Sequence, residues 1–171
     1  QMKTALPVAV LLLVTVPLLA STGAAAGQLV GGVTANDCDS LIMQIRLFVI
    51  DTPEAVQISK DDRGRDYACG QVASDALANL VQDKIVSCKV KTRDRYGRPV
   101  AICYADNIDI GGALVDAGVA VAFRKYSDKY VANEDRARAA RRGLWAGTFE
   151  MPWDYRERRR RQSEAKRALL G

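Results

Sequence analysis

Apolar residues fall into short runs separated by polar punctuation, and the spacing within each run predicts its element. Leu41 to Ile50 is dense in Leu, Ile, Val and Phe and reads as a buried strand, ended by Thr52-Pro53. Residues 55–66 are polar, contain Gly64 and read as a loop. From Tyr67 to Val81 the residues Val72, Ala73, Ala76, Leu77, Leu80 and Val81 recur at spacings of three and four, the pattern of an amphipathic helix. Ile85 to Thr92 and Val100 to Ala105 read as strands, with the turn-like Asp94-Arg95-Tyr96-Gly97-Arg98-Pro99 between them. Ile110 to Ala117 reads as a short helix stopped by Gly118, Val119 to Phe123 as a strand, and Asp128 to Arg142 as a helix stopped by Gly143. The basic residues from Arg156 onward read as helical or disordered. No internal repeat is visible. Strands that do not alternate regularly with helices predict an α+β, mainly β chain or a small barrel carrying helices, not a doubly wound parallel sheet.

The N-terminus has a different pattern. Met2-Lys3-Thr4 leads into a predominantly apolar run from Ala5 to Ala20, followed by small residues up to Ala26. That is the layout of a secretory signal. The run carries Pro7 and Pro17 and is shorter than the roughly 20 apolar residues a spanning helix needs. Residues 1–26 are therefore expected to be a signal peptide, with an uncleaved anchor as the alternative. This places the protein outside the cytoplasm, secreted or periplasmic. The folded domain is expected over 27–156, entered through the Gly-rich stretch Gly27 to Thr34, with a basic tail over 157–171.

Charge and composition narrow the chemistry. The 171 residues suit one domain, and 49% hydrophobic content is enough for a packed core. There is no histidine. That excludes Ser-His-Asp and Cys-His nucleophiles, histidine zinc sites and imidazole bases. The formal charge is +5, yet it is unevenly placed. Arg156, Arg158, Arg159, Arg160, Arg161, Lys166 and Arg167 face only Glu157 and Glu164 in the last segment, while residues 27–155 hold 17 basic and 18 acidic residues. The body is near neutral, so net charge alone does not argue for nucleic-acid binding.

Four cysteines follow the leader: Cys38, Cys69, Cys88 and Cys103. In an oxidising compartment an even count reads as two disulfides, out of three possible pairings. If the runs around Cys88 and Cys103 form a hairpin, those two face each other, which leaves Cys38 with Cys69. Free buried thiols are the alternative.

The densest polar cluster on apolar flanks is Arg46-Leu-Phe-Val-Ile-Asp51-Thr52-Pro53-Glu54. An arginine inside a buried strand is costly unless it meets an anion. Asp37-Cys38-Asp39-Ser40 precedes the same strand, and Asp94 to Arg98 supplies a second arginine. Carboxylates from two segments with two arginines can cleave a phosphodiester without histidine. Oxygen ligands suit Ca²⁺ or Mg²⁺, cations stabilise charge developing at phosphorus, and a spare carboxylate can activate water. Read without function, Asp51 to Glu54 is a strand-ending turn or a helix cap, and Arg46 pairs with a buried carboxylate.

The Arg46 to Glu54 and Asp94 to Arg98 motifs together resemble the staphylococcal nuclease (thermonuclease-like) family. Tyr67-Ala68-Cys69-Gly70, Ala113 to Gly118, Arg124-Lys125-Tyr126-Ser127, Gly143-Leu144-Trp145 and Pro152-Trp153-Asp154-Tyr155-Arg156 agree with family signatures in the same order. The resemblance runs from about Asp37 to Arg156. It implies an OB-type five-stranded barrel with packed helices. It also implies a Ca²⁺-dependent endonuclease that hydrolyses single-stranded or denatured DNA and RNA to 3′-phosphate products. By position, Asp39, Asp51 and the Thr52 carbonyl would bind the metal. Glu54 would be the general base, and Arg46 and Arg98 would stabilise the phosphate. Arg95, Tyr96, Arg124, Lys125 and Tyr126 would hold the strand, although Tyr96 could simply pack the turn and the basic pair could simply be solvated. No stable protein partner is implied, and the tail could touch anionic surfaces.

Two departures stand out. Cys38 replaces a glycine in the family's Asp-Gly-Asp-Thr pattern, and only six residues separate Asp39 from Arg46, fewer than the family's usual hairpin. Asp39 is thereby the least secure ligand. A catalytically impaired nucleic-acid-binding module of the same fold is the alternative that this shortening suggests. Ser59 stands where relatives often carry a cysteine paired with the one at Cys69, consistent with a rewired Cys38–Cys69 bridge.

Overall fold

The computed structural model describes residues 33–35 and 41–170. The leader over 1–26 and the Asp37-Cys38-Asp39-Ser40 segment lie outside the described residues. Strand β1 (Val33–Ala35) pairs antiparallel with β2 (Leu41–Met43). The central ladder is a hairpin of β7 (Val86–Arg93) and β8 (Pro99–Ala105), with β3 (Arg46–Leu47) parallel to β8 and β9 (Ile108–Asp109) antiparallel to it. β4 (Ile50–Asp51) pairs antiparallel with β10 (Val121–Ala122), and β5 (Ser59–Lys60) with β6 (Asp66–Tyr67). Among the described residues there are four α-helices: α1 (Cys69–Val81), α2 (Ile110–Asp116), α3 (Val131–Ala139) and α4 (Pro152–Leu170). This is the expected mixed α+β fold, mainly short strands with packed helices, consistent with an OB-type fold. Among the described residues the strands do not close into a five-stranded barrel. No described helix is long and apolar enough to cross a membrane.

The Leu41 to Ile50 run is three strands, not one. Val49 takes φ 48°, a value a β-branched residue rarely adopts. Phe48 donates its N–H to the Ala101 carbonyl on β8, and Phe123 donates its N–H to the Val49 carbonyl. The chain thus leaves one partner strand and joins another within two residues. Long-range pairing overrides the apolar run here, and the bend delivers Asp51 to a new face. The 55–66 loop likewise contains a small hairpin, tied by Asp61 Oδ1 accepting the N–H groups of Arg63 and Arg65.

The hairpin expectation holds closely. Cys88 and Cys103 are cross-strand partners and form a disulfide. Helix α2 is the centre of the core. Asp109 caps it by accepting the Gly112 N–H, and Ile110, Leu114 and Val115 are almost fully buried against Val49, Ile50, Ala101 and Tyr130. Each such aliphatic side chain contributes roughly 1.5–3 kcal/mol by leaving water.

Helix α1 seats the loop that follows Asp51. A Cβ on Gly70 would lie 1.8 Å from the Glu54 carbonyl oxygen. Only glycine lets the first turn of α1 approach this backbone so closely.

Candidate active site

Asp51 ends β4 and is buried, with 8% of its side chain exposed. Glu54 follows in a turn closed by the Gln57 N–H donating to the Glu54 carbonyl at 2.7 Å. Gln57 is fully buried and fixes the turn in two directions. Its Oε1 accepts the Glu54 N–H at 3.2 Å, and its Nε2 donates to the Glu150 carbonyl at 2.7 Å, just before α4. A strand end, a glycine contact and a buried amide therefore set the spacing of the two carboxylates.

Both carboxylates converge on one group, the Arg156 guanidinium in the second turn of α4. Nη1 donates to Asp51 Oδ1 at 3.0 Å and to Glu54 Oε1 at 2.9 Å, while Nη2 donates to Asp51 Oδ2 at 2.5 Å. The bonds to Asp51 first, and then to Glu54, push the Arg156 pKa still further above its high ordinary value. Sequence reasoning placed Arg156 in a family signature and at the head of the tail but gave it no role in the site. The basic stretch after it continues the same helix.

Arg46 is exposed, which corrects its reading as an arginine inside a buried strand. It starts β3 at the edge of the ladder, so its charge remains in water. It forms the shared wall of two clefts. One, of about 240 Å³, also holds Asp51, Thr52 and Ser74. The other, of about 670 Å³, is lined by Arg93, Arg95, Tyr96, Phe123 and Tyr126. The structure therefore places Arg46, Asp51 and Thr52 together, beside a groove of cations and aromatic rings that includes the predicted Arg95, Tyr96 and Tyr126. Lys125 stands next to that groove, its Nζ 5.5 Å from the Tyr126 ring centre.

Arg98 is not among the groove residues. Its Nε donates to Asp94 Oδ2 at 2.7 Å and its Nη2 lies 2.6 Å from the same oxygen. Asp94 Oδ1 accepts the N–H groups of Tyr96 and Arg98, so one carboxylate organises the turn and holds the arginine. Arg124 is committed to structure. Its Nη2 donates to buried Glu134 at 2.6 Å, and Glu134 also accepts the Ala122 N–H.

The expected Cys38–Cys69 bridge involves Cys38, which lies outside the described residues. Cys69 is a free, buried thiol. Ser59 donates to its sulfur at 2.6 Å, and the thiol reaches the Gln57 carbonyl at 3.2 Å. A hydroxyl thus fills the position beside Cys69.

The donor chemistry suits a hard divalent cation. A buried carboxylate and a second one beside it already hold a positive group, and oxygen is their only donor. Among the described residues no three His, Cys, Asp or Glu side chains cluster as a complete ligand set. Asp39, the third predicted ligand, lies outside them.

Residues 44–147 match the family model described as staphylococcal nuclease homologue. The chain is 33% identical over 135 residues to a succinoglycan biosynthesis protein of Rhizobium meliloti, covering 75% of this chain and 70% of that one. It is 34% identical over 121 residues to an uncharacterized endonuclease of Escherichia coli O157:H7, covering 68% and 72%. It is 31% identical over 120 residues to a probable staphylococcal-like nuclease of rice, covering 68% of this chain but 33% of that longer one. The family match spans more than half of the sequence and includes the Arg46 to Glu54 and Asp94 to Arg98 motifs, so the chain belongs to the staphylococcal nuclease homologue family.

Proposed function

We propose that this protein is a Ca²⁺-dependent nuclease that hydrolyses single-stranded or denatured DNA and RNA, leaving 3′-phosphates. One observation carries the proposal. Asp51 and Glu54, the candidate metal ligand and the candidate base, bind the same guanidinium, so their carboxylates face one point, and Asp51 also lines a cleft with Arg46.

Asp51, with the Thr52 carbonyl and Asp39, would hold the cation. Bound there, calcium would supply charge neutralisation at the phosphate. Glu54 has 42% of its side chain exposed, enough to meet a water molecule, and its backbone is held by Gln57. It would accept the proton of that water as it attacks phosphorus. Arg46 would bind the phosphate between the two clefts and stabilise its growing charge. Arg98 would join it if Asp94 released the guanidinium. Tyr96 and Tyr126 are each 69% exposed and offer stacking faces to unpaired bases, which favours single strands over duplex. Arg95 and Lys125 would track the backbone by charge.

The exposed cations Arg159, Lys166 and Arg167 on α4 would add salt-sensitive affinity for polyanions or anionic surfaces. The Cys88–Cys103 disulfide supports a secreted or periplasmic location. The test is cleavage of a single-stranded oligonucleotide by the full chain in Ca²⁺ and in chelator. Cleavage only with Ca²⁺ and ends carrying 3′-phosphate are expected. Salt-sensitive binding without cleavage would instead support the impaired binding module, and neither binding nor cleavage would overturn both readings.

A further inference from the structure

We propose that Arg156 is the resident counter-cation of the candidate metal site. Its guanidinium occupies the oxygens of Asp51 and Glu54, lowers the affinity of that site for a divalent cation, and swings out when the cation enters. The inference rests on the reading of Asp51 as a metal ligand.

The geometry supports competition. Both Asp51 oxygens are engaged by one fork, and the shared Nη1 also takes Glu54 Oε1. A carboxylate as buried as Asp51 is costly without a partner, so the arginine stabilises the metal-free protein. Calcium seeks the same oxygens at about 2.3–2.6 Å, and it repels a guanidinium held there. The two cations cannot occupy those lone pairs together.

Arg156 also has somewhere to go. Its side chain is 41% exposed, and it sits on a helix with other anchors. Pro152 is buried, Trp153 packs on Phe123 with ring centres 6.1 Å apart, and Arg158 pairs with Glu150 at 2.9 Å. The guanidinium can therefore leave by rotation about its own side-chain bonds while α4 stays docked.

The test compares the full-length wild type with Arg156→Gln and Arg156→Lys, without nucleic acid. Calcium affinity is measured by calorimetric titration, and thermal midpoints are recorded in chelator and in saturating Ca²⁺. Arg156→Gln is expected to be less stable than wild type in chelator, to gain more from Ca²⁺, and to bind Ca²⁺ about tenfold more tightly, since no resident cation then competes for the Asp51 oxygens. Arg156→Lys cannot reproduce the fork and should shift in the same direction by less. It carries the comparison if the glutamine variant does not fold in chelator. Equal or weaker Ca²⁺ binding in the variants would overturn the role given to Arg156 alone. No Ca²⁺ uptake by any of the three proteins would overturn the metal reading of Asp51 and this inference with it.

Discussion

Arg156 grips Asp51 with both terminal nitrogens of its guanidinium, across 105 positions of sequence, at 3.0 and 2.5 Å. The contact joins the C-terminal helix to the strand end that carries the candidate chemistry. A double-mutant cycle between Asp51→Asn and Arg156→Gln, read from denaturant unfolding in chelator, should give a coupling of about 1–2 kcal/mol. That is modest for a fork because 41% of the arginine side chain is open to solvent screening. Additive effects would mean that the fork does not persist in solution.

Ser59 and Cys69 set up a second prediction. The Ser59 hydroxyl already lies 2.6 Å from the Cys69 sulfur. Ser59→Cys should oxidise to a disulfide with Cys69 and stabilise the protein by about 2–3 kcal/mol, the range for closing a short loop. The gain should vanish in reductant. Non-reducing peptide mapping that finds both thiols free would refute it.

Asp94 organises the turn that holds Arg98. Partial burial works against its charge, but the Arg98 guanidinium and the N–H groups of Tyr96 and Arg98 hold the carboxyl below its ordinary value of 3.8. A depressed carboxylate contributes stability above that value, and the contribution is lost as pH falls through the lowered one. Unfolding midpoints measured below about pH 4 should therefore fall less steeply with acid in Asp94→Asn than in wild type. Parallel acid limbs would show that the turn owes nothing to this charge.

Tyr96 and Tyr126 line the groove beside Arg46 with mostly exposed rings. Replacing either with alanine should weaken binding of a short single-stranded oligonucleotide by about 1–3 kcal/mol, the value of one base stacked on an aromatic face. Fluorescence anisotropy at fixed salt measures it. Unchanged affinity in both variants would place the strand elsewhere.

Legibility in the sequence followed the range of the interactions. The Cys88–Cys103 pairing was readable because two apolar runs flank one turn, and register across a hairpin is a local matter. Helix α1 was readable from its spacing of three and four. The Leu41 to Ile50 run was not, because the bend at Val49 exists only to trade β8 for β10, two strands far along the chain. Asp51 and Glu54 were visible as candidates. Their common partner was not, since no periodicity links position 156 to position 51. The clue available was that Arg156 closes a short motif rich in aromatic residues. Counting cysteines could not show that the Ser59 hydroxyl lies beside the Cys69 thiol, because that contact depends on how the 55–66 segment folds back.

In the proposed reaction Glu54 activates water beside a cation held at Asp51. The most direct test of that step is the single-turnover cleavage rate of Glu54→Gln in saturating Ca²⁺, with oligonucleotide affinity measured in parallel. The glutamine keeps the shape and the Gln57 contacts of the backbone but cannot take a proton. The rate should fall by a factor on the order of 10²–10⁴ while affinity stays near that of wild type. A variant that cleaves at the wild-type rate would contradict the account.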